Sequence, residues 1–187
     1  MKYLIVGLGN IGVEYSNTRH NIGFDVADQL SNELKGESKV ERLAIVSRAK
    51  FTGRQLVIIK PTTYMNLSGK ALKYWLEKEK IPIERLLVIL DDIALPTGTL
   101  RMKGKGGDAG HNGLTDIIEK IDTNVFARLR IGIGNDFPQG RQADYVLGQW
   151  TKSEEKIILP RIEIATDMIK SFVSVGIETT MTKYNNK

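Results

Sequence analysis

One of the two histidines in this 187-residue chain, His20, stands in a polar run in which Tyr15, Thr18, Arg19, Asn21 and Gly23 are its neighbours. A histidine flanked by arginine and asparagine suits a core poorly, and loops carried on rigid elements are where general bases collect. A solvated surface imidazole is the competing reading of His20 alone. Asp91 closes a continuous apolar run, residues 86–90, and Asn10, Asn66 and Asn112 lie at the margins of other regular segments. An imidazole, a carboxylate and three amides suffice for hydrolysis by an activated water: base, orienter and polarising donors. Taken singly, each asparagine reads as a turn or cap, and Asp91 as a strand-end turn residue.

Other chemistries lack their parts. Gly7, Gly9 and Gly12 match G-x-G-x-x-G directly after an apolar run, but residues 13–17 that follow have no helical apolar period. A dinucleotide site needs a helix N-terminus there, so glycines that permit a tight turn and close packing fit better. A second cluster, Gly104, Gly106, Gly107, Gly110 and Gly113, is not followed by Lys-Ser or Lys-Thr, which disfavours a triphosphate cradle. It predicts a mobile glycine-rich lid near residues 104–113. There is no G-x-S-x-G elbow, no H-E-x-x-H and no cysteine, so a serine elbow, a zincin site and thiolate chemistry are not expected. Asp91 and Asp92 are adjacent and point apart on extended backbone, which is a poor cation pair. The expectation is no metal and no cofactor.

These side chains need a frame, and the pattern along the chain supplies one. Apolar runs at residues 3–8, 43–51, 55–60, 86–90, 99–102 and 126–133 predict strands, with a turn at Thr52 and Gly53 and with Pro61 ending the third. Amphipathic spacing predicts helices over 22–34, 67–79 and 114–121. A last long helix is expected to start from an N-cap at Ser153, with Glu154 and Glu155 behind it, and to end near Gly176; Pro160 predicts a kink or a late start. This alternation implies one α/β domain over residues 1–187, a three-layer α/β/α sandwich with a mixed, mostly parallel twisted sheet. In such sheets ligands bind beyond the carboxyl ends of the strands, where Asn10, Asn66 and Asp91 fall.

Composition sets the remaining limits. With 41% hydrophobic residues the chain can bury a full core. The first apolar run is too short for a signal peptide or a membrane span, and the lack of cysteine suits a reducing compartment, so a cytoplasmic protein is expected. The net charge of +5 suggests an anionic partner. Arg101, Lys103, Lys105, Arg128 and Arg130 are the candidates to meet phosphate, or alternatively to guard a strand edge. No coiled-coil seam is visible, and a monomer is expected.

Several separated segments resemble the bacterial peptidyl-tRNA hydrolase family. They are Tyr15, Thr18, Arg19, His20, Asn21 and Gly23; then Pro61 through Gly69; then Gly110, His111, Asn112, Gly113 and Asp116; and the stretch from Phe126 to Gly134. The resemblance covers nearly the whole chain. It implies hydrolysis of the ester between a peptide and the terminal ribose of tRNA, recycling tRNA from abandoned peptides. His20 matches the family's catalytic histidine and Asp91 its carboxylate partner. Asn10, Tyr15, Tyr64, Asn66 and Asn112 match substrate-binding positions, and Arg101, Lys103 and Arg130 match those implicated in holding tRNA phosphate. Peptidyl-tRNA is then the partner, with no membrane. The chain departs from the family's pattern at Ile11, Ala94, Asp108 and Thr115, which bear on loop shape and RNA contact. A non-catalytic RNA-binding module of the same fold is the alternative.

Overall fold

The computed structural model describes residues 1–186. Its centre is a seven-stranded sheet in the order β2-β3-β4-β1-β5-β7-β6, formed by β1 Lys2–Gly7, β2 Glu37–Glu41, β3 Ala44–Phe51, β4 Arg54–Pro61, β5 Leu86–Asp92, β6 Leu100–Lys103 and β7 Ala127–Gly132. The four central strands β4, β1, β5 and β7 run parallel, and antiparallel pairs close both sides. Alternation along β1 shows why helices cover both faces. Ile5 joins a core layer with Val26 and Leu30 of α1 (Ile22–Glu33) and with Met168 and Phe172 of α5 (Lys152–Val175). Leu4 and Val6 face Leu72 and Trp75 of α2 (Ser68–Glu79) and Leu114 and Ile117 of α3 (Asn112–Ile121). The sandwich expected from the sequence is the one formed.

The chain leaves β1 for α1 on one face and leaves the adjacent β4 for α2 on the other. That divergence opens a crevice at the strands' carboxyl ends. Gly7 and Gly9 serve packing: a Cβ on Gly7 would collide with the Gly23 carbonyl, and one on Gly9 would lie 2.7 Å from the Phe24 ring. After Gly12 the backbone enters a 3-10 turn, Val13–Tyr15, instead of a helix. Gly23 is wedged equally tightly, a Cβ there falling 2.5 Å from the Leu8 nitrogen and 2.6 Å from the Ile89 oxygen. Backbone on both sides cannot yield, so Gly23→Ala is expected to cost about 3 kcal/mol, measurable as a lower urea midpoint.

Several elements differ from the sequence expectation. β2 is a mostly exposed edge strand without an apolar face, so periodicity carried no signal for it. Pro61 is the last residue of β4, paired with Ala44. The N-cap of α5 is Thr151, in a capping box with Glu154, two residues earlier than expected. α5 continues through Pro160, which is exposed, so the carbonyl its ring leaves unbonded faces solvent. Two short helices, α4 Gln142–Val146 and α6 Ile177–Tyr184, were not anticipated. After α6, the Asn185 side chain donates to the Met102 oxygen at 2.9 Å and accepts from its nitrogen at 2.8 Å, occupying the free edge of β6. Among the described residues, no helix is long and apolar enough to cross a membrane.

Candidate active site

A cleft of about 850 Å³ lies at the carboxyl ends of β1, β4 and β5, lined among others by Asn10, His20, Asn66, Asp91 and Asn112. His20 occupies a 3-10 turn, Arg19–Asn21, at the start of α1, and each neighbour fixes it. Asn21 accepts from the Asn10 backbone nitrogen at 2.8 Å and donates to the Asn10 oxygen at 2.9 Å, copying a strand pair. Arg19 donates twice to Glu154, at 3.0 and 2.7 Å, and lies 4.1 Å over the Tyr145 ring, which binds the turn to the start of α5. His20 is thereby buried in a position with little freedom.

Asp91 is the hub of the site. Its Oδ2 accepts from His20 Nδ1 at 2.8 Å, and its Oδ1 accepts from His111 Nε2 at 2.9 Å. The His111 tautomer follows from its other nitrogen, since His111 is the N-cap of α3 and its Nδ1 accepts from the Leu114 nitrogen. The ring proton therefore resides on Nε2 and is given to Asp91. His20 likewise gives its Nδ1 proton to Asp91, which leaves the Nε2 lone pair toward the cleft. Burial alone would push the Asp91 carboxyl up, but the adjacent His111 and His20 imidazoles outweigh it and hold it well below the usual carboxylate range.

Asn10 has a determined orientation as well. Its Oδ1 accepts from the Met65 nitrogen at 2.7 Å, so its Nδ2 is turned to the cleft, with no partner among the described residues. Asn66 and Asn112 are exposed on the cleft wall, and Tyr15 and Tyr64 meet edge to face at 6.3 Å beside them. The ligand atoms of His20, Asp91 and His111 lie within 4.8 Å of one another, close enough to consider a cation. The donor set argues against one: a metal on His111 Nε2 would place a proton on Nδ1, facing the Leu114 N–H.

The family model for peptidyl-tRNA hydrolase matches residues 4–187. A peptidyl-tRNA hydrolase of Phocaeicola vulgatus is 54% identical over 187 residues, covering all of both chains. One of Parabacteroides distasonis is 52% identical, again over the full length of both. The chain belongs to the peptidyl-tRNA hydrolase family. The crystal structure of peptidyl-tRNA hydrolase from Acinetobacter baumannii superposes with a TM-score of 0.93 at 35% identity, covering 98% of this chain and 94% of that one.

Against that family's pattern, the basic residues divide. Arg101 and Lys103 on β6 pair across the ladder with Arg130 and Arg128 on β7, so all four begin from one sheet face. Lys103, Arg128 and Arg130 all line the cleft; Arg101 does not. Arg130 donates to Asp92 at 2.7 Å, and the other Asp92 oxygen accepts from the Ala94 nitrogen. Arg128 corrects the sequence reading of a freely available phosphate contact: it is 1% exposed, and its Nη1 is spent on the 106–107 backbone carbonyls. Two of the departures from the peptidyl-tRNA hydrolase pattern prove to be partners: Thr115 donates to Asp108 at 2.8 Å.

His111 is the residue that sequence reasoning named without giving it a task. Two signals were available: it is the only other imidazole in the chain, and it lies immediately before a helix fed by a glycine-rich segment. Neither indicates that its Nε2 meets Asp91.

Proposed function

We propose that this chain hydrolyses the ester joining a peptide to the 3′-terminal ribose of tRNA, with His20 as the general base. The observation that carries this reading is the Nδ1 to Asp91 hydrogen bond at 2.8 Å, which commits one ring nitrogen and leaves Nε2 free to accept a proton in the cleft. His20 Nε2 takes a proton from water as the oxygen attacks the ester carbonyl. The tetrahedral oxyanion is met by amide donors, with Asn10 Nδ2 the best oriented of them. Collapse breaks the bond to the ribose oxygen, which takes the proton back from His20, and tRNA and the free peptide acid leave. An ester needs no covalent intermediate for this, given a water held in place.

Asn66, Asn112, Tyr15 and Tyr64 are assigned to holding the peptide backbone, and Lys103 and Arg130, with Arg101 cross-strand from Arg130, to tRNA phosphate. The chain is read as a cytoplasmic monomer that uses no metal or cofactor. The test is release of label from N-acylated aminoacyl-tRNA beside unblocked aminoacyl-tRNA, each at low and physiological salt. Selective release from the blocked form is expected, with a Michaelis constant that rises with salt because phosphate contacts displace counterions. Binding of tRNA without release would instead identify an RNA-binding module, and a salt-independent constant would remove the phosphate assignment.

A further inference from the structure

We infer that Arg128 is a positioning residue that fastens the glycine-rich segment over the cleft, and that this segment is a pinned wall, in contrast to the mobile flap its composition suggests. The inference rests on the cleft being the ester site proposed above.

Arg128 is 1% exposed, and no carboxylate forms an ion pair with it among the described residues. Its acceptors are all backbone carbonyls. Nη1 donates to Gly106 at 2.9 Å and Gly107 at 3.3 Å, and Nη2 donates to Asn124 at 2.6 Å and Phe126 at 3.4 Å. Its guanidinium lies 4.3 Å over the Phe126 ring. The planar fork thus spans two chain segments, the start of the glycine-rich stretch and the approach to β7, which a lysine with one nitrogen cannot do. Burial, with Arg130 adding to it, pulls the group down to about 10. A cation kept dry without a counter-charge is costly, and the two segments it joins are what the fold gains from it.

The far end of the stretch is held independently. Asp108 accepts from the Gly110 nitrogen at 2.9 Å and from Thr115 at 2.8 Å, and its own carbonyl accepts from the His111 nitrogen at 2.9 Å. Residues 106–111 therefore run between two fixed points. Their last residue, His111, is the one delivered to Asp91. Arg128 acts on the site through that delivery and through the wall itself, without touching substrate.

Two measurements decide the matter. Amide hydrogen exchange on the wild-type protein should show Gly106, Gly110 and His111 protected by at least about tenfold over unstructured rates; unprotected amides there would overturn the inference without any variant. Arg128→Lys should then lose about tenfold of that protection and lower kcat about tenfold, on both N-acyl-aminoacyl-tRNA and a minimal N-acyl-aminoacyl-adenosine ester that lacks the rest of the RNA. Arg128→Met keeps the stem packed on Phe126 and needs no buried charge, so it carries the comparison if the lysine variant does not fold. A rise in KM confined to the tRNA substrate, with the minimal ester unaffected, would make Arg128 a phosphate contact and refute the wall. If the wild-type protein released neither substrate, the proposed function would fail while the exchange result stood by itself.

Discussion

His20→Ala is expected to bind N-acylated aminoacyl-tRNA with nearly unchanged affinity while turning it over about a thousandfold more slowly. Affinity should survive because the phosphate contacts assigned to Lys103 and Arg130 lie elsewhere on the cleft wall and the peptide-holding amides are untouched. The fold should survive too, since the turn carrying His20 is held by Arg19 on Glu154 and by Asn21 on Asn10, not by the imidazole. Single-turnover release beside filter binding separates the two quantities. Turnover near the wild-type rate would remove His20 from the mechanism, and loss of binding in parallel with turnover would make it a substrate contact.

Asp91→Asn should lower turnover by about a hundredfold, less than His20→Ala because the imidazole remains. The size of the effect depends on which way the new amide turns, and His111 decides that. Each Asp91 oxygen accepts one imidazole N–H, whereas an asparagine offers one acceptor and one donor. His111 cannot change tautomer without opposing the Leu114 N–H, so the asparagine oxygen belongs on its side. The amide NH2 then faces His20 Nδ1 and drives that ring to the tautomer whose Nε2 is protonated, which is no base. Removing His111 should free the amide to turn over. Asp91→Asn combined with His111→Ala is therefore expected to be several-fold more active than Asp91→Asn alone, an inversion of the usual order for double variants. A double variant less active than the single one would show that His111 does not set the amide's direction.

The layered α/β architecture was legible because central strands of a sheet covered on both faces must be continuously apolar, as residues 86–90 are, and because α1 and α2 repeat their apolar positions at helical spacing. β2 was not legible, for it is an exposed edge whose pairing comes from β3 and from no pattern of its own. The short helices α4 and α6 offered too few turns for a period to register. Thr151 displaced Ser153 as the cap of α5 because a capping box needs the glutamate at the third helical position, and Glu154 stands there only when the cap is Thr151.

By itself the sequence determined the chemistry on offer: which residues could act as base, carboxylate and amide donors, that no thiolate exists, and which basic residues were candidates to meet phosphate. Tertiary structure decided which of them meet. The parallel register of β1 beside β5 places Asp91 against a turn that precedes it by many residues. Alternation put Arg128 and Arg130 on the same face, but only the packing of the 106–107 backbone over Arg128 made it a buried fastener, whereas Arg130 stays partly exposed beside Asp92. Side-chain type and period are local properties of a chain, whereas burial and hydrogen-bond partnership are set by what distant segments bring alongside, and His111 reaching Asp91 is the clearest case of the second kind.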